Sequence, residues 1–96
     1  GWATFYNPGV FEQVLAVRGV EADACPDCDG YAAMLFPADL GRIVCIEGLR
    51  LWIVDVAAGH HRAGLVARGW VIDLQWEVWQ TLGFPRRPTM VFLTEC

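Results

Sequence analysis

The sequence contains no lysine and no serine in its 96 residues. The absence of serine excludes a serine nucleophile, and the absence of lysine excludes Schiff-base chemistry and the lysine-dependent loops that bind nucleotide phosphates. The side chains that remain for chemistry are carboxylates, histidine, threonine, tyrosine and cysteine. Any reaction that the chain performs must use this reduced set.

Charged residues are also scarce, at 19% of the chain, and the formal net charge is −4. All basic residues are arginines scattered along the sequence, whereas binding to a nucleic-acid backbone requires a clustered basic face. No apolar run reaches the roughly 18 to 20 residues that a membrane-spanning helix needs. We therefore expect neither a nucleic-acid partner nor a membrane span.

Hydrophobic residues, in contrast, make up 55% of the chain and include five tryptophans. Residues 1–96 are predicted to form a single domain, which is too small to bury this much apolar surface. Part of the surface is therefore expected to contact another molecule. The sequence starts with Gly1 rather than Met, which is consistent with a secreted protein whose signal peptide has been removed.

Cysteine occurs four times, at Cys25, Cys28, Cys45 and Cys96. An even number in a short chain is typical of disulfides in an oxidising compartment, so all four are predicted to form disulfides. Zinc binding and free thiols are the alternatives, but Cys45 and Cys96 lack the close spacing of a second zinc knuckle. Three connectivities are open. One interpretation pairs Cys25 or Cys28 with Cys45 and the other with Cys96, and another lets Cys96 cross-link to a neighbouring chain.

The most specific local pattern surrounds Asp73. Residues 69–72 predict a strand, and apolar residues at every fourth position from Leu74 predict a short α-helix at about residues 74–82. Aspartate is a favoured N-cap because its carboxylate accepts hydrogen bonds from the amides of the first helical turn. We therefore predict that Asp73 ends the strand and caps the helix. A capping carboxylate is held ionised and is a poor acid.

The rest of the chain is predicted to consist mainly of short strands. These lie at residues 2–6, 14–18, 42–46, 49–55 and 89–93, with a further apolar segment at 31–35. The connection Glu47-Gly48 favours a hairpin, whereas residues 21–30 and 56–67 are predicted loops. The second loop carries His60 and His61, interpreted as surface residues and not as metal ligands. About six strands and one helix favour a small closed barrel, which protects the strand edges.

Several segments, taken together, have the order and spacing of a known family. They are Gly1-Trp2-Ala3-Thr4-Phe5-Tyr6, Tyr31-Ala32-Ala33, Pro37-Ala38-Asp39-Leu40, Val54-Asp55, and Ile72-Asp73-Leu74 followed by Leu82-Gly83. In this order they resemble the double-psi β-barrel domain shared by expansins, barwin-like proteins and rare-lipoprotein-A-type lytic transglycosylases. The resemblance implies a mainly β fold, a six-stranded double-psi β-barrel, and a secreted domain with a groove that faces polysaccharide.

The resemblance also implies a glycan-binding site at Thr4, Asp55 and Asp73, to which we add Tyr6 as an aromatic contact. Asp55 and Asp73 are the candidate catalytic residues, because glycan cleavage needs a proton donor and hydrolysis usually needs a second carboxylate. The chain departs from the family pattern, since Gln75 replaces a serine and Glu21 is the nearest residue to the expected glutamate. Met34 replaces the histidine of the transglycosylases. These departures favour a protein that is not an enzyme.

Two functions follow from these observations. In the favoured one, the domain is a non-catalytic extracellular subunit that assembles with copies of itself. Trp76, about 160° from the apolar stripe of the predicted helix, is expected to be exposed and to form this contact with Trp70 and Leu65. In the alternative, the domain binds, loosens or cleaves a cell-wall polysaccharide through Asp73 and Asp55. Neither function requires a cofactor or a metal.

Overall fold

A computed structural model of the chain describes residues 1–21 and 24–96. Within these ranges the protein is mainly β, with a single sheet and short helices. The strands are β1 Trp2–Phe5, β2 Gly30–Met34, β3 Ile43–Ile46, β4 Leu49–Val56, β5 Trp70–Leu74, β6 Thr89–Met90 and β7 Thr94–Glu95. The helices are α1 Val10–Arg18, α2 Gly59–Ala67 and α3 Trp76–Leu82, with a 3-10 turn at Pro37–Asp39. No helix in the described ranges is long and apolar enough to cross a lipid bilayer.

The sheet is curled into a half-barrel. Its strand order is β6-β1-β5-β2-β4-β3-β7, with β1 parallel to β5, β2 parallel to β4, and β2 antiparallel to β5. The edge strands β6 and β7 are joined by residues 91–93 alone, which span at most about 14 Å. A flat sheet of seven strands would separate its edges by about 29 Å. The sheet must therefore curl until its two edges approach each other.

The core lies on one face of this curled sheet. Alternate residues of the strands contribute Ala3, Leu51, Ile53, Ile72 and Leu74, all buried, as the two-residue period of a strand requires. Helix α3 closes this core with Val78 and Trp79. A second, smaller cluster packs α1 against other strand residues and contains Phe11, Tyr31 and Val54.

Several strand predictions are confirmed. β3 and β4 form the predicted antiparallel hairpin, in which Glu47 and Gly48 both have positive φ, as a tight two-residue turn requires. The predicted count of six strands is not confirmed, because segment 89–93 forms two short strands, β6 and β7, with Val91 between them. Val91 is buried in the core, and its amide donates to the Gly1 carbonyl. The chain passes at this point from one edge of the sheet to the other.

Two segments are helices where a strand and a loop were predicted. Residues 14–18 belong to α1, where Phe11 is buried and Leu15, four positions later, packs beside it. Gly19 ends the helix in the left-handed conformation. Residues 59–67 of the predicted loop 56–67 form α2, which packs on β5. The predicted loop at 21–30 precedes β2, and its residues 22 and 23 lie outside the described ranges.

The prediction that Asp73 caps the helix is wrong. Strand β5 continues through Leu74, and α3 begins at Trp76 after Gln75. Leu74 is fully buried and pairs with Phe5 of β1, so strand pairing and core packing outweigh the capping preference of Asp73. The Gln75 side chain does not cap the helix either, since its Oε1 accepts a hydrogen bond of 3.1 Å from the Tyr31 amide.

All four cysteines form disulfides, as predicted, but the connectivity differs from our interpretation. Cys25 pairs with Cys28 across a tight turn, in which the Cys28 amide donates to the Cys25 carbonyl. Cys96 pairs with Cys45 in the same chain, which excludes the alternative that it cross-links to a neighbouring chain. The pairing of β7 with β3 explains this bond, because Thr94 is the register partner of Cys45.

Candidate functional site

Four adjacent strands place the predicted glycan-binding residues side by side. Thr4 of β1 is the register partner of Asp73 of β5, and Asp73 is the partner of Ala33 of β2. Ala33 is in turn the partner of Asp55 of β4. Two strand spacings therefore separate Asp73 from Asp55, about 10 Å between their Cα atoms. We call Thr4, Tyr6, Asp55 and Asp73 the polar row.

Asp73 is half-buried, and its Oδ1 accepts a hydrogen bond from the Thr4 hydroxyl. Burial raises the pKa of Asp73 above its usual value because a desolvated carboxylate is disfavoured, and the nearby charge of Asp55 adds to this effect. The hydrogen bond from Thr4 lowers the pKa but does not cancel the rise. The pKa of Asp73 is thus raised, whereas the amides of a capped helix would lower it, and a raised pKa brings a carboxyl group closer to the range that suits a proton donor.

Asp55 has a different environment because it is charge-paired. The Arg18 Nη2 atom lies 2.5 Å from Asp55 Oδ1, and the Tyr6 hydroxyl donates to Asp55 Oδ2 at 3.1 Å. Burial raises the pKa of Tyr6 above its usual range, and the charge of Asp55 and this hydrogen bond raise it further. Tyr6 therefore remains a hydrogen-bond donor. Sequence reasoning missed Arg18, since its segment was predicted to be a strand, although an arginine before Gly19 is typical of a helix C-terminus.

A cavity lies beside each carboxylate of the polar row. The α1 cavity, of about 460 Å³, is lined by Val10, Gln13, Val14, Val17, Arg18 and Asp55. The α2 cavity, of about 490 Å³, is lined by Ala57, Ala58, His60, His61, Gly64, Leu65, Arg68 and Asp73. Each carboxylate of the row therefore borders a space large enough for part of a small ligand. The sequence indicated neither cavity, because both depend on helices that were not predicted.

The residues predicted to mediate self-association are less exposed than expected. Trp76 is half-buried, with its ring centroid 5.1 Å from that of Phe5 and the Arg86 guanidinium 4.8 Å above it. The helix starts two residues later than predicted, so Trp76 lies in its first turn and packs on β1. Trp70 and Leu65 are also half-buried.

Other apolar side chains are more exposed than these three. Val17 on α1 has 86% of its surface exposed, and Phe92 between β6 and β7 has 83%. Of the other aromatic residues, Tyr31 is buried in the second core cluster and Trp52 is partly buried against it. If a surface of this domain binds another protein, Val17 and Phe92 are its most exposed large apolar residues.

The two histidines lie in α2, with ring centroids 3.9 Å apart. In the described ranges, no group of three histidine, cysteine, aspartate or glutamate side chains is arranged to hold a metal ion. The site is thus a set of hydroxyls and carboxylates flanked by arginines, which can donate to and accept from the hydroxyl groups of a polar ligand. No family model, curated protein or solved structure matches the chain.

Proposed function

We propose that the chain is a secreted domain that binds cell-wall polysaccharide through the polar row. One observation supports this proposal most strongly. Residues that come from three distant segments form two directly bonded pairs, Thr4 with Asp73 and Tyr6 with Asp55, and the two carboxylates are only two strand spacings apart in one sheet. A buried core does not need this arrangement, whereas recognition of sugar hydroxyls needs several donors and acceptors in fixed positions.

We also propose that the half-barrel is a double-psi β-barrel. The two parallel strand pairs, β1 with β5 and β2 with β4, and the short connection between the edge strands support this assignment. Secretion is supported by the two disulfides, which persist in oxidising compartments.

The two carboxylates extend the proposal from binding to chemistry. Asp73 is half-buried with a raised pKa, and Asp55 is paired with Arg18. Carboxylates in contrasting environments are the usual basis for separate acid and charge-stabilising roles in glycan cleavage. In the proposed cleavage step, Asp73 donates a proton to the glycosidic oxygen, the bond from this oxygen to the anomeric carbon breaks, and Asp55 stabilises the positive charge on the sugar. A water molecule then adds to the anomeric carbon and returns a proton to Asp73. Binding does not depend on this step, so the two activities are separable.

Cosedimentation with insoluble peptidoglycan and cellulose tests the binding proposal. The oxidised protein is compared with its Asp73→Asn and Asp55→Asn variants and with Glu77→Gln, which removes an exposed carboxylate from α3 outside the row. We expect the native chain and Glu77→Gln to sediment with at least one polymer and the two Asn variants to bind at least fivefold more weakly. Equal retention of all four proteins, or no retention on either polymer, would contradict the proposal. Release of soluble sugar fragments that Asp73→Asn abolishes would demonstrate cleavage.

A second candidate function is self-assembly into an extracellular structural subunit. The exposure of Val17 and Phe92 favours it, because large apolar side chains gain most from burial at an interface. Trp76, Trp70 and Leu65 would add their half-exposed surfaces to such a contact.

Sedimentation velocity over a hundredfold range of protein concentration tests this second function. Association that Val17→Asp or Phe92→Asp abolishes, and that Glu77→Gln leaves unchanged, is the expected result for a self-assembling subunit. A monomer at every concentration rules out self-assembly under those conditions. Trp76→Ala then shows whether the predicted tryptophan contributes to the contact.

A further inference from the structure

The segment that forms α2 has a charge opposite to that of the whole molecule. Residues 56–69 contain Arg62, Arg68, His60 and His61 but no aspartate or glutamate, in a chain with a net charge of −4. From the sequence alone, these basic residues and histidines form a short segment whose neighbours in the fold are unknown. The structure folds the segment into a helix that packs on β5, the strand that carries Asp73.

Three of these side chains line the α2 cavity. His60, His61 and Arg68 are exposed and lie on its wall, whereas Asp73, also on its wall, is half-buried. The side chains of Arg68 and the two histidines are thus more exposed than that of Asp73. The volume of about 490 Å³ is in the usual range for a small-ligand pocket of roughly 300 to 1,000 Å³.

Arg68 differs from the other arginines that border the site. Arg18 pairs with Asp55, and Arg62 donates to the Leu35 carbonyl at 2.8 Å. In the part of the chain that the structure describes, Arg68 forms neither a salt bridge nor a side-chain hydrogen bond. Its planar guanidinium therefore offers its donors to the cavity, in the fork geometry that binds carboxylate and phosphate oxygens in pairs.

We propose that the α2 cavity is a subsite for an anionic substituent of the polysaccharide, and that Arg68 binds this group with His60 and His61 beside it. The inference rests on the proposed function, because Asp73 belongs both to the polar row and to the cavity wall. A sugar bound at the row would therefore place its substituent next to Arg68 and the two histidines. The ligand class is an acidic polysaccharide that carries carboxylate or phosphate groups.

The presence of Asp73 in the same cavity is compatible with an anionic ligand. Its Oδ1 accepts a hydrogen bond from the Thr4 hydroxyl, and burial raises its pKa, so its ionised form is less favoured than that of an exposed aspartate. The Arg68 side chain on this wall is exposed whereas that of Asp73 is half-buried, so an anion can reach the guanidinium from solvent. No acidic side chain other than Asp73 lines this cavity in the described ranges.

Equilibrium binding to polymers that differ only in charge tests this proposal. Polygalacturonate carries carboxylates, and its methyl ester has the same backbone without the charge; a glycerol-phosphate polymer provides the phosphate arm. We expect the native chain to bind one charged polymer at least tenfold more tightly than the methyl ester, with a preference that weakens between 50 and 500 mM salt. Arg68→Gln should lose this preference, and His60→Asn/His61→Asn should reduce it. Arg87→Gln, a matched change of an exposed arginine elsewhere, should retain it.

The outcomes separate this inference from the proposed function. If Arg68→Gln still cosediments with peptidoglycan or cellulose but no longer prefers the charged polymer, both proposals are supported. If Arg68→Gln keeps the full preference of the native chain, the subsite is wrong while binding by the polar row stands. If the native chain binds the charged polymers no more tightly than the methyl ester but sediments with peptidoglycan or cellulose, the subsite is likewise wrong and the proposed function stands. If the native chain binds neither the insoluble nor the soluble polymers, the proposed function fails and the subsite fails with it. The more tightly bound charged polymer identifies carboxylate or phosphate as the substituent.

Discussion

At the scale of single residues, Asp73 shows how a side chain gains its chemistry from its position. In the first turn of a helix, the backbone amides would keep its carboxylate ionised. In strand β5 it is half-buried and has a single side-chain hydrogen-bond donor, Thr4, in the described ranges. Burial then dominates and favours the protonated form. The pKa of the same residue is raised instead of lowered because the strand continues past it to Leu74.

The raised pKa of Asp73 predicts a specific dependence of stability on pH. Above the ordinary value of 3.8, the folded chain holds a proton at Asp73 that the unfolded chain has lost, so the free energy of unfolding falls as pH rises. Asp73→Asn has no group to ionise and should not show this fall. Its Oδ1 can still accept the hydrogen bond from Thr4.

Urea unfolding at a series of pH values from 3.5 to 7 measures this effect. The native chain should lose stability relative to Asp73→Asn across this interval, and Glu77→Gln should follow the native chain. Parallel curves for the native chain and Asp73→Asn would show that Asp73 titrates alike in the folded and unfolded states.

At the scale of elements, strands were predictable and the helices α1 and α2 were not. Alternating apolar residues and the Glu47-Gly48 turn carry enough local information to place β3 and β4. Helix α2 contains Gly59 and Gly64 and adjacent histidines, all with low helix propensity, and its stability depends on packing against β5. Contacts between distant segments decide such an element, and a single sequence does not reveal them.

Alanine substitutions at two glycines, Gly30 and Gly64, are expected to change the stability of the chain in opposite directions. A Cβ atom on Gly30 of β2 would lie 2.3 Å from Val78 Cγ2, and this branched side chain on α3 cannot rotate away without loss of packing. Gly30→Ala should therefore destabilise the chain by about 1 to 3 kcal/mol. A Cβ atom on Gly64, in the interior of α2, meets nothing within 4 Å.

Gly64→Ala should accordingly stabilise the chain by about 0.5 to 1 kcal/mol, because alanine restricts the unfolded chain and favours the helix. Chemical denaturation of the two variants beside the native protein measures both effects. If Gly64→Ala destabilises as much as Gly30→Ala, α2 is not a regular helix or packs more tightly than described.

At the scale of the whole molecule, the two disulfides stabilise unequally. Cys45 and Cys96 are 51 positions apart in the sequence and tie β3 to the last strand, whereas Cys25 and Cys28 are three positions apart. Loop-closure entropy gives about 4 kcal/mol for the long loop and about 2 kcal/mol for the short one. Cys45→Ala/Cys96→Ala should therefore unfold at a lower urea concentration than Cys25→Ala/Cys28→Ala. The reverse order would show that the curl of the sheet does not depend on the long loop.

Part of the candidate site could be predicted from the sequence, and the rest depends on how distant segments of the chain pack. Thr4, Asp55 and Asp73 were named from the resemblance and Tyr6 as an added aromatic contact, and the sheet register brings the four together. Arg18 and the two cavities were not predictable, since they depend on where α1 and α2 pack. Their roles in binding remain proposals, and their positions follow from the fold.

The polar row joins residues up to 69 positions apart, so no partly folded fragment contains it. Any compound that occupies the row therefore recognises only the native chain and shifts the folding equilibrium. At a concentration one hundred times its Kd, such a compound adds about 2.7 kcal/mol to the unfolding free energy. Melting curves recorded with a panel of soluble oligosaccharides should thus reveal the natural ligand as an increase in Tm that Asp55→Asn and Asp73→Asn lack. The thermal stability of the domain would in that way report on ligand binding without a label.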